Sequence, residues 1–323
     1  MAQVATPAAG PGPTVTRASA SRRGWKARIL PLLRYLQRNP SLAAGIILLA
    51  GLLLFVVVGE LTYPTERYRP LSADVRLSPG RYLTKDAAGR ESHTVYPFGT
   101  DTQGRDIYAV MIKGIQLTLR IGLIAGIIGL GVGTFLAFVA AYYGGWVDAA
   151  IRTVVDVGLT IPGLLILILI AVNVKSGLTV DQMGLAVATV AWTYPARTIR
   201  AQVLVMREQL YVEIARLSGV SGLGIVFKEM MPNLMPYLAA SFVGAVGAAV
   251  LASIGLEALG LGPFDSPTLG MTVYFNIVFS SVLVGMWWWL IPPIAAMAII
   301  FVGLFLVASG LDEWANPRLR MRV

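Results

Sequence analysis

The longest stretch of this chain without a charged side chain covers 46 positions, 266–311, and further windows of this kind span 121–147, 157–174 and 230–256. About 20 apolar residues suffice to carry a helix across roughly 30 Å of hydrocarbon. Lipid offers backbone amides no hydrogen-bond partner, so windows of this length fold as helices packed in a bilayer. Only 13% of the 323 residues are charged and 56% are apolar, whereas an ordinary soluble domain is about 25% charged. The chain reads as an all-α, multi-pass membrane protein. A water-soluble enzyme, a disordered chain and a collagen-like chain are excluded.

There is no cysteine, hence no disulfide or thiolate ligand, and the single His93 cannot build a histidine cluster, so no metal site is expected. The net charge of +9 would point to nucleic acid in a soluble chain. Here it is read by topology, and no nucleic-acid partner is expected. Arg17, Arg22, Arg23, Lys26, Arg28, Arg34 and Arg38 all precede the first acid, Glu60, which places the N-terminus in the cytoplasm. Arg318, Arg320 and Arg322 place the C-terminus there too, and that parity predicts six transmembrane helices in the cytoplasmic (inner) membrane.

Residues 1–24 read as a disordered cytoplasmic tail and 25–40 as a basic helix lying on the membrane surface, with a solvated basic tail as the alternative. The first span is 41–62, too deep and too long for a cleaved signal. Residues 63–116 form an extracytoplasmic loop broken by proline and glycine. A five-helix core follows over 117–311. Its first helix lies within Ile121–Tyr142, where Gly122, Gly126, Gly129, Gly131 and Gly133 let another helix approach. The next covers about Val157–Asn173 around Pro162-Gly163, and the next passes Pro195 toward Arg200. A cytoplasmic loop, 197–233, has room for two short helices. The fifth span is about Pro236–Glu257, Pro263–Gly285 is an outside loop with a short half-buried helix, and the sixth span is about Trp287–Gly310. Residues 312–323 are a cytoplasmic tail.

Four groups of residues invite a functional reading. In Glu213-Ile214-Ala215-Arg216-Leu217-Ser218-Gly219, followed by Pro232, the side chains of Leu210, Ile214 and Leu217 recur at helical spacing, and Gly219 permits a reversal. The segment suits either an amphipathic connector or a helix pressed into a partner's groove. Gly99, Thr100, Asp101, Gly104, Arg105 and Asp106 suit an exposed Asp–Arg brace or a role in gating or receiving substrate, and hold too few carboxylates for a calcium cage. Trp287-Trp288-Trp289 suits an interfacial belt or a sugar-binding surface, so Trp287 and Trp288, with Asn276, are candidates for a substrate path. Glu60, Arg120, Asp156 and Glu257 sit near helix ends, as snorkelling or interfacially paired groups do, which argues against an ion relay and a secondary transporter. No Gly-Lys dipeptide occurs, so a phosphate-cradling loop is absent and no residue is expected to be catalytic.

The Glu213 segment resembles the EAA loop of binding-protein-dependent ABC importer permeases, E-A-A, three residues, G, nine residues, then I-x-L-P. Glu213, Ala215, Gly219 and Pro232 match, while Ile214, Glu229 and Met231 depart. From about 38 to 320 the chain is similar to the dipeptide/oligopeptide permease branch, C-subunit type. Pro97 to Asp106 resembles P-F-G-T-D-x-x-G-R-D, Tyr142 to Asp148 resembles Y-Y-G-G-W-x-D, Gly260-Leu261-Gly262 with Pro267 and Gly270 resembles an outside loop, and Asn316 to Arg320 resembles D-P-R-L-R. Where the branch has G-D-x-L-R-D, Ala308 to Glu313 loses one acid and reverses the sign at Asp312.

The resemblance implies a type I ABC importer (MetI-like) permease fold. It also implies a coupling role for 213–219 with Pro232, and partners comprising a second homologous permease, two ATPase domains and an extracytoplasmic substrate-binding protein. ATP and magnesium would be bound by the ATPases and not by this chain. Peptides are the expected cargo, with oligosaccharides or a nickel complex as the alternative.

Overall fold

The computed structural model describes residues 36–85, 91–174 and 177–315. The tail 1–24, most of the expected surface helix 25–40, and the basic ending from Asn316 lie outside them. From Pro40 onward the chain packs as one unit. Its helices are α1 (Pro40–Thr62), α2 (Ile107–Tyr143), α3 (Gly145–Thr160), α4 (Gly163–Asn173), α5 (Val180–Ala191), α6 (Thr193–Arg207), α7 (Leu210–Leu217), α8 (Met231–Ala258), α9 (Leu269–Val278) and α10 (Trp287–Ala315). A wide-turned helical segment, Ile225–Met230, leads into α8. Pro232 and Pro236 lack the amide hydrogen that a tight turn would use, and a widened turn just upstream accommodates such rings.

Four described helices are long and apolar enough to cross a membrane: α1, α2, Ile225 through α8, and α10. The α3–α4 pair supplies a fifth crossing if it is one broken span, and α5, a shorter apolar helix, runs into α6 with only Trp192 between them. α1 packs along α10, α2 packs against α5, α6 and α8, and α8 packs against α10. Gly126 of α2 approaches so closely that an added Cβ would stand 2.7 Å from Val246 of α8, and at Gly133 it would stand 2.8 Å from the Trp192 carbonyl. Gly122 and Gly129 make comparable approaches, but Gly131 meets nothing.

The structure corrects several boundaries. The loop 63–116 ends at Asp106, because Ile107, Met111, Ile115 and Thr118 continue the buried face of α2 outward. The helical core therefore begins at 107 and not 117. Its polar positions are paired, Lys113 and Gln116 reaching Glu60 of α1 at 2.6 and 3.2 Å. The same loop holds a hairpin, β1 (Gly80–Lys85) with β2 (Glu91–Tyr96), beside the helices that make the fold. Tyr82 faces Thr94 across it, and the Thr84 and Thr94 hydroxyls meet at 2.7 Å. The helical segment expected as the third span starts at Gly145 and bends by 79° between α3 and α4. Proline drives its preceding residue out of helical geometry, and Ile161 is extended. The 197–233 loop shrinks, since α6 runs to Arg207 and the chain is helical again from Gly222, leaving α7 as its one separate helix. The last helix runs past 311 to Ala315.

Candidate functional site

α7 is mounted by its inner side and bare on its outer side. Val212 and Ala215 pack with Phe138 of α2, Ile199 and Val203 of α6, and Ile225, Val226 and Met230. Leu210 and Leu217 are 69% and 82% exposed, and Ile214 between them is exposed too. Glu213, Arg216 and Ser218 are also exposed. The Val220 amide donates to the Ala215 carbonyl at 3.1 Å and Gly219 has φ +79°, a glycine-ended helix stop. A Cβ at Gly219 would meet no atom, so glycine is required there by backbone conformation alone. Pro232 lies exposed in the first turn of α8, beyond the wide-turned segment that packs on α7. The platform beneath is braced by Arg200, whose guanidinium grips the Asp148 carboxylate with two hydrogen bonds and so ties α6 to α3.

On the opposite side the 99–106 segment is a buried junction. Arg105 donates to Asp101 at 2.7 Å, their side chains being 6% and 2% exposed, so the expected brace exists but not as an exposed pair. Asp101 also accepts from the Gln103 and Arg105 amides. The Arg105 guanidinium lies 4.8 Å from the ring centre of Phe275 on α9. Thr100 donates to the Asp74 carbonyl at 2.6 Å, and Gly99 and Gly104, at φ +71° and +70°, turn the backbone around it. Asp106 caps α2 by accepting from the Tyr108 amide at 3.0 Å, and takes the Tyr63 hydroxyl at 2.5 Å. Burial pushes the Asp106 carboxyl above the usual carboxylate range, and burial, followed by the Asp106 contact, pushes the Tyr63 phenol up as well.

The tryptophan run joins this junction instead of forming a belt. Only Trp287 is well exposed, at 59%. Trp288 donates from its indole to the Thr100 carbonyl at 3.3 Å, and Trp289 is 1% exposed, near-parallel to Phe279. Consecutive residues on a helix point about 100° apart, so three in a row cannot share one lipid face. Asn276 is buried as well. Its amide donates to the Thr272 and Trp289 carbonyls, and its oxygen accepts from Ser281 at 2.6 Å. Asn276 is thus held by partners within the chain, and Trp288 is half-buried.

Among the suspected end-of-helix charges, Arg120 pairs with Asp181 at 2.7 Å. Glu257 does not snorkel. It is wholly buried and accepts from the Thr268 hydroxyl at 2.7 Å and the Met271 amide at 3.1 Å, so the end of α8 caps the start of α9. The Leu269 amide donates to Thr118 of α2 at 3.0 Å. Phe275 carried no signal of its own in the sequence, and Thr268 only that of a threonine preceding an apolar run, which is a helix-start mark. Among the described residues no three histidine, aspartate or glutamate side chains gather as metal ligands would.

α2 joins the two ends. It is capped by Asp106 in the buried junction, finishes at Tyr143 beside the α7 platform, and its 37 residues form one rod. At 1.5 Å per residue that rod is about 55 Å long.

The chain is 28% identical over 287 residues to the dipeptide transport system permease protein DppC of Bacillus subtilis, covering 89% of this chain and 85% of the relative. It is 30% identical over 300 residues to a putative peptide transport system permease protein of Brucella abortus, covering 92% and 94%. It is 26% identical over 289 residues to the glutathione transport system permease protein GsiD of Pectobacterium atrosepticum, covering 89% and 90%. Residues 129–321 match the model of the binding-protein-dependent transport system inner membrane component family. That match takes in α7, its platform and the span-forming helices from mid-α2 onward, and the chain belongs to this family as a multi-pass membrane permease subunit.

Proposed function

We propose that this chain is the non-catalytic half of a heterodimeric permease that imports peptides, driven by two ATPase domains that bind ATP and magnesium. Both termini face the cytoplasm, and an extracytoplasmic binding protein delivers cargo to the outer side. The observation that carries this reading is the exposed Leu210–Ile214–Leu217 face of a helix whose other side is fixed to the ends of α2 and α6. An apolar ridge on a rigid mount suits insertion into a partner's groove. ATPase closure pushes α7, α2 carries the displacement, and the bundle rocks between inward-facing and outward-facing states. Glu213 to Gly219 and Pro232 are the coupling residues.

Peptide cargo is supported by the names of the relatives. Oligosaccharide cargo has less support, because Trp289 is buried and Trp288 half-buried, which leaves Trp287 as the one well-exposed ring of the run.

Leu217→Asp and Gly219→Val test the proposal in the reconstituted assembly. Each is expected to leave insertion intact and to abolish peptide uptake while ATP hydrolysis continues. Uptake at the wild-type rate in both variants would refute coupling through α7. Because the chain has no cysteine, a single Glu213→Cys probe also reports orientation, and labelling from outside would refute the topology.

A further inference from the structure

Asp312, near the end of α10, lines a cavity. The cavity, of about 470 Å³, opens between the α5–α6 break, α8 and the inner end of α10. Its floor is a small-residue face of α8 that includes Gly244, Ala248 and Ala252, and its walls carry the hydroxyls of Tyr194, Tyr237 and Ser241. Among the described residues, none of those three hydroxyls, nor the Asp312 carboxylate, has a hydrogen-bond or ion-pair partner, and no lysine or arginine lines the cavity.

Small residues alone would suit close packing against another helix. The polar groups argue otherwise. A dry helix seam closed over three free hydroxyls and a carboxylate would cost each of them its water without return, and ionisable groups within membrane helices face water-filled cavities. These polar groups suit a groove that holds water. With the Asp312 anion at its inner mouth and no lysine or arginine among its described lining residues, it attracts positive charge and repels negative charge.

Resting on the peptide-importer reading, we propose that this groove is the part of the translocation path supplied by this subunit, and that Asp312 is a specificity-determining residue favouring cargo that carries a positive side chain. The carboxylate attracts a passing lysine or arginine side chain in partly screened surroundings, which sets an effect of a few-fold, not orders of magnitude. Asp312 acts on passage and has no part in delivery, so the binding protein's affinity is independent of it.

The test uses the intact assembly in liposomes, with its own ATPases, second permease and binding protein. Tripeptides of equal length bearing lysine, alanine or glutamate at the central position serve as cargo. Asp312→Asn is expected to lower uptake of the lysine peptide about five-fold and leave the alanine peptide unchanged, and Asp312→Arg to favour the glutamate peptide. Basal ATP hydrolysis and peptide binding by the binding protein are expected to stay at wild-type levels. Equal loss for all three peptides, or no change for any, overturns the filter. Ser241→Cys is expected to react with a membrane-impermeant maleimide from the ATPase side, and an unreactive thiol, or one that crosslinks to the second permease, overturns the wet groove. An unaltered assembly that takes up none of the peptides refutes the peptide reading itself, whereas uptake without charge preference refutes only Asp312.

Discussion

The guanidinium of Arg105 lies 4.8 Å from the ring centre of Phe275 while it binds Asp101 at 2.7 Å. One side chain therefore joins the loop before α2 to α9, across a gap of 170 positions in the sequence. An exposed Asp–Arg pair would contribute little, but here both partners are out of water, and removing either leaves an uncompensated buried charge.

Arg105→Ala and Asp101→Ala are each expected to destabilise the protein by about 3 kcal/mol or more. Thermal unfolding in detergent measures this. A change of less than about 1 kcal/mol would mean that the pair is hydrated as an exposed one is.

Trp287, Trp288 and Trp289 are expected to differ sharply. Trp289→Ala opens a cavity in a fully buried site and should cost about 3–5 kcal/mol. Trp288→Phe removes one hydrogen bond to Thr100, worth about 1 kcal/mol. Trp287→Ala should be near neutral. Equal effects at all three positions, read from melting temperatures, would restore the belt.

The clasp between α8 and α9 is expected to tolerate loss of charge better than a change of shape. Glu257→Gln keeps an acceptor for Thr268 and should melt close to wild type. Thr268→Val removes both the cap and the partner of Glu257, for about 1–2 kcal/mol. Gly270→Ala drives a methyl group into the Glu257 carboxylate and should be the most damaging of the three, as the melting order will show.

Asp106 gives the junction before α2 an acid-side pH dependence. Its carboxyl lies above the ordinary value of 3.8 because burial disfavours the ion. The folded state therefore holds this proton more tightly than the unfolded chain, and the associated stability is fully present below about 3.8, then falls as pH rises through the raised value. Asp106→Asn should flatten that slope while still capping α2. Melting temperatures taken across this range that slope identically in both proteins would exclude the assignment.

Much of the helical plan was legible in the amino-acid order. Charge-free windows mark the spans, since lipid forbids charges and open backbone alike. Gly126 and Gly133 mark close helix contacts, and Leu210, Ile214 and Leu217 announce a helical face. Periodicity cannot say which face is covered. Val212 and Ala215 lie between those leucines in sequence yet inside the protein, and that became visible only with Phe138 and Ile225 in place.

The sequence by itself determined that this chain lives in a membrane, roughly where it crosses, and which short segments carry unusual chemistry, because those properties follow from local composition and spacing. Tertiary structure alone decided what those segments touch. It brought Arg105 to Phe275, Trp288 to Thr100, Glu257 to Thr268 and Asp312 to a cavity beside α8, and it buried groups whose neighbours in the chain gave no reason to expect burial. Such contacts join residues far apart in sequence, and their energies depend on the water removed when distant helices close over them.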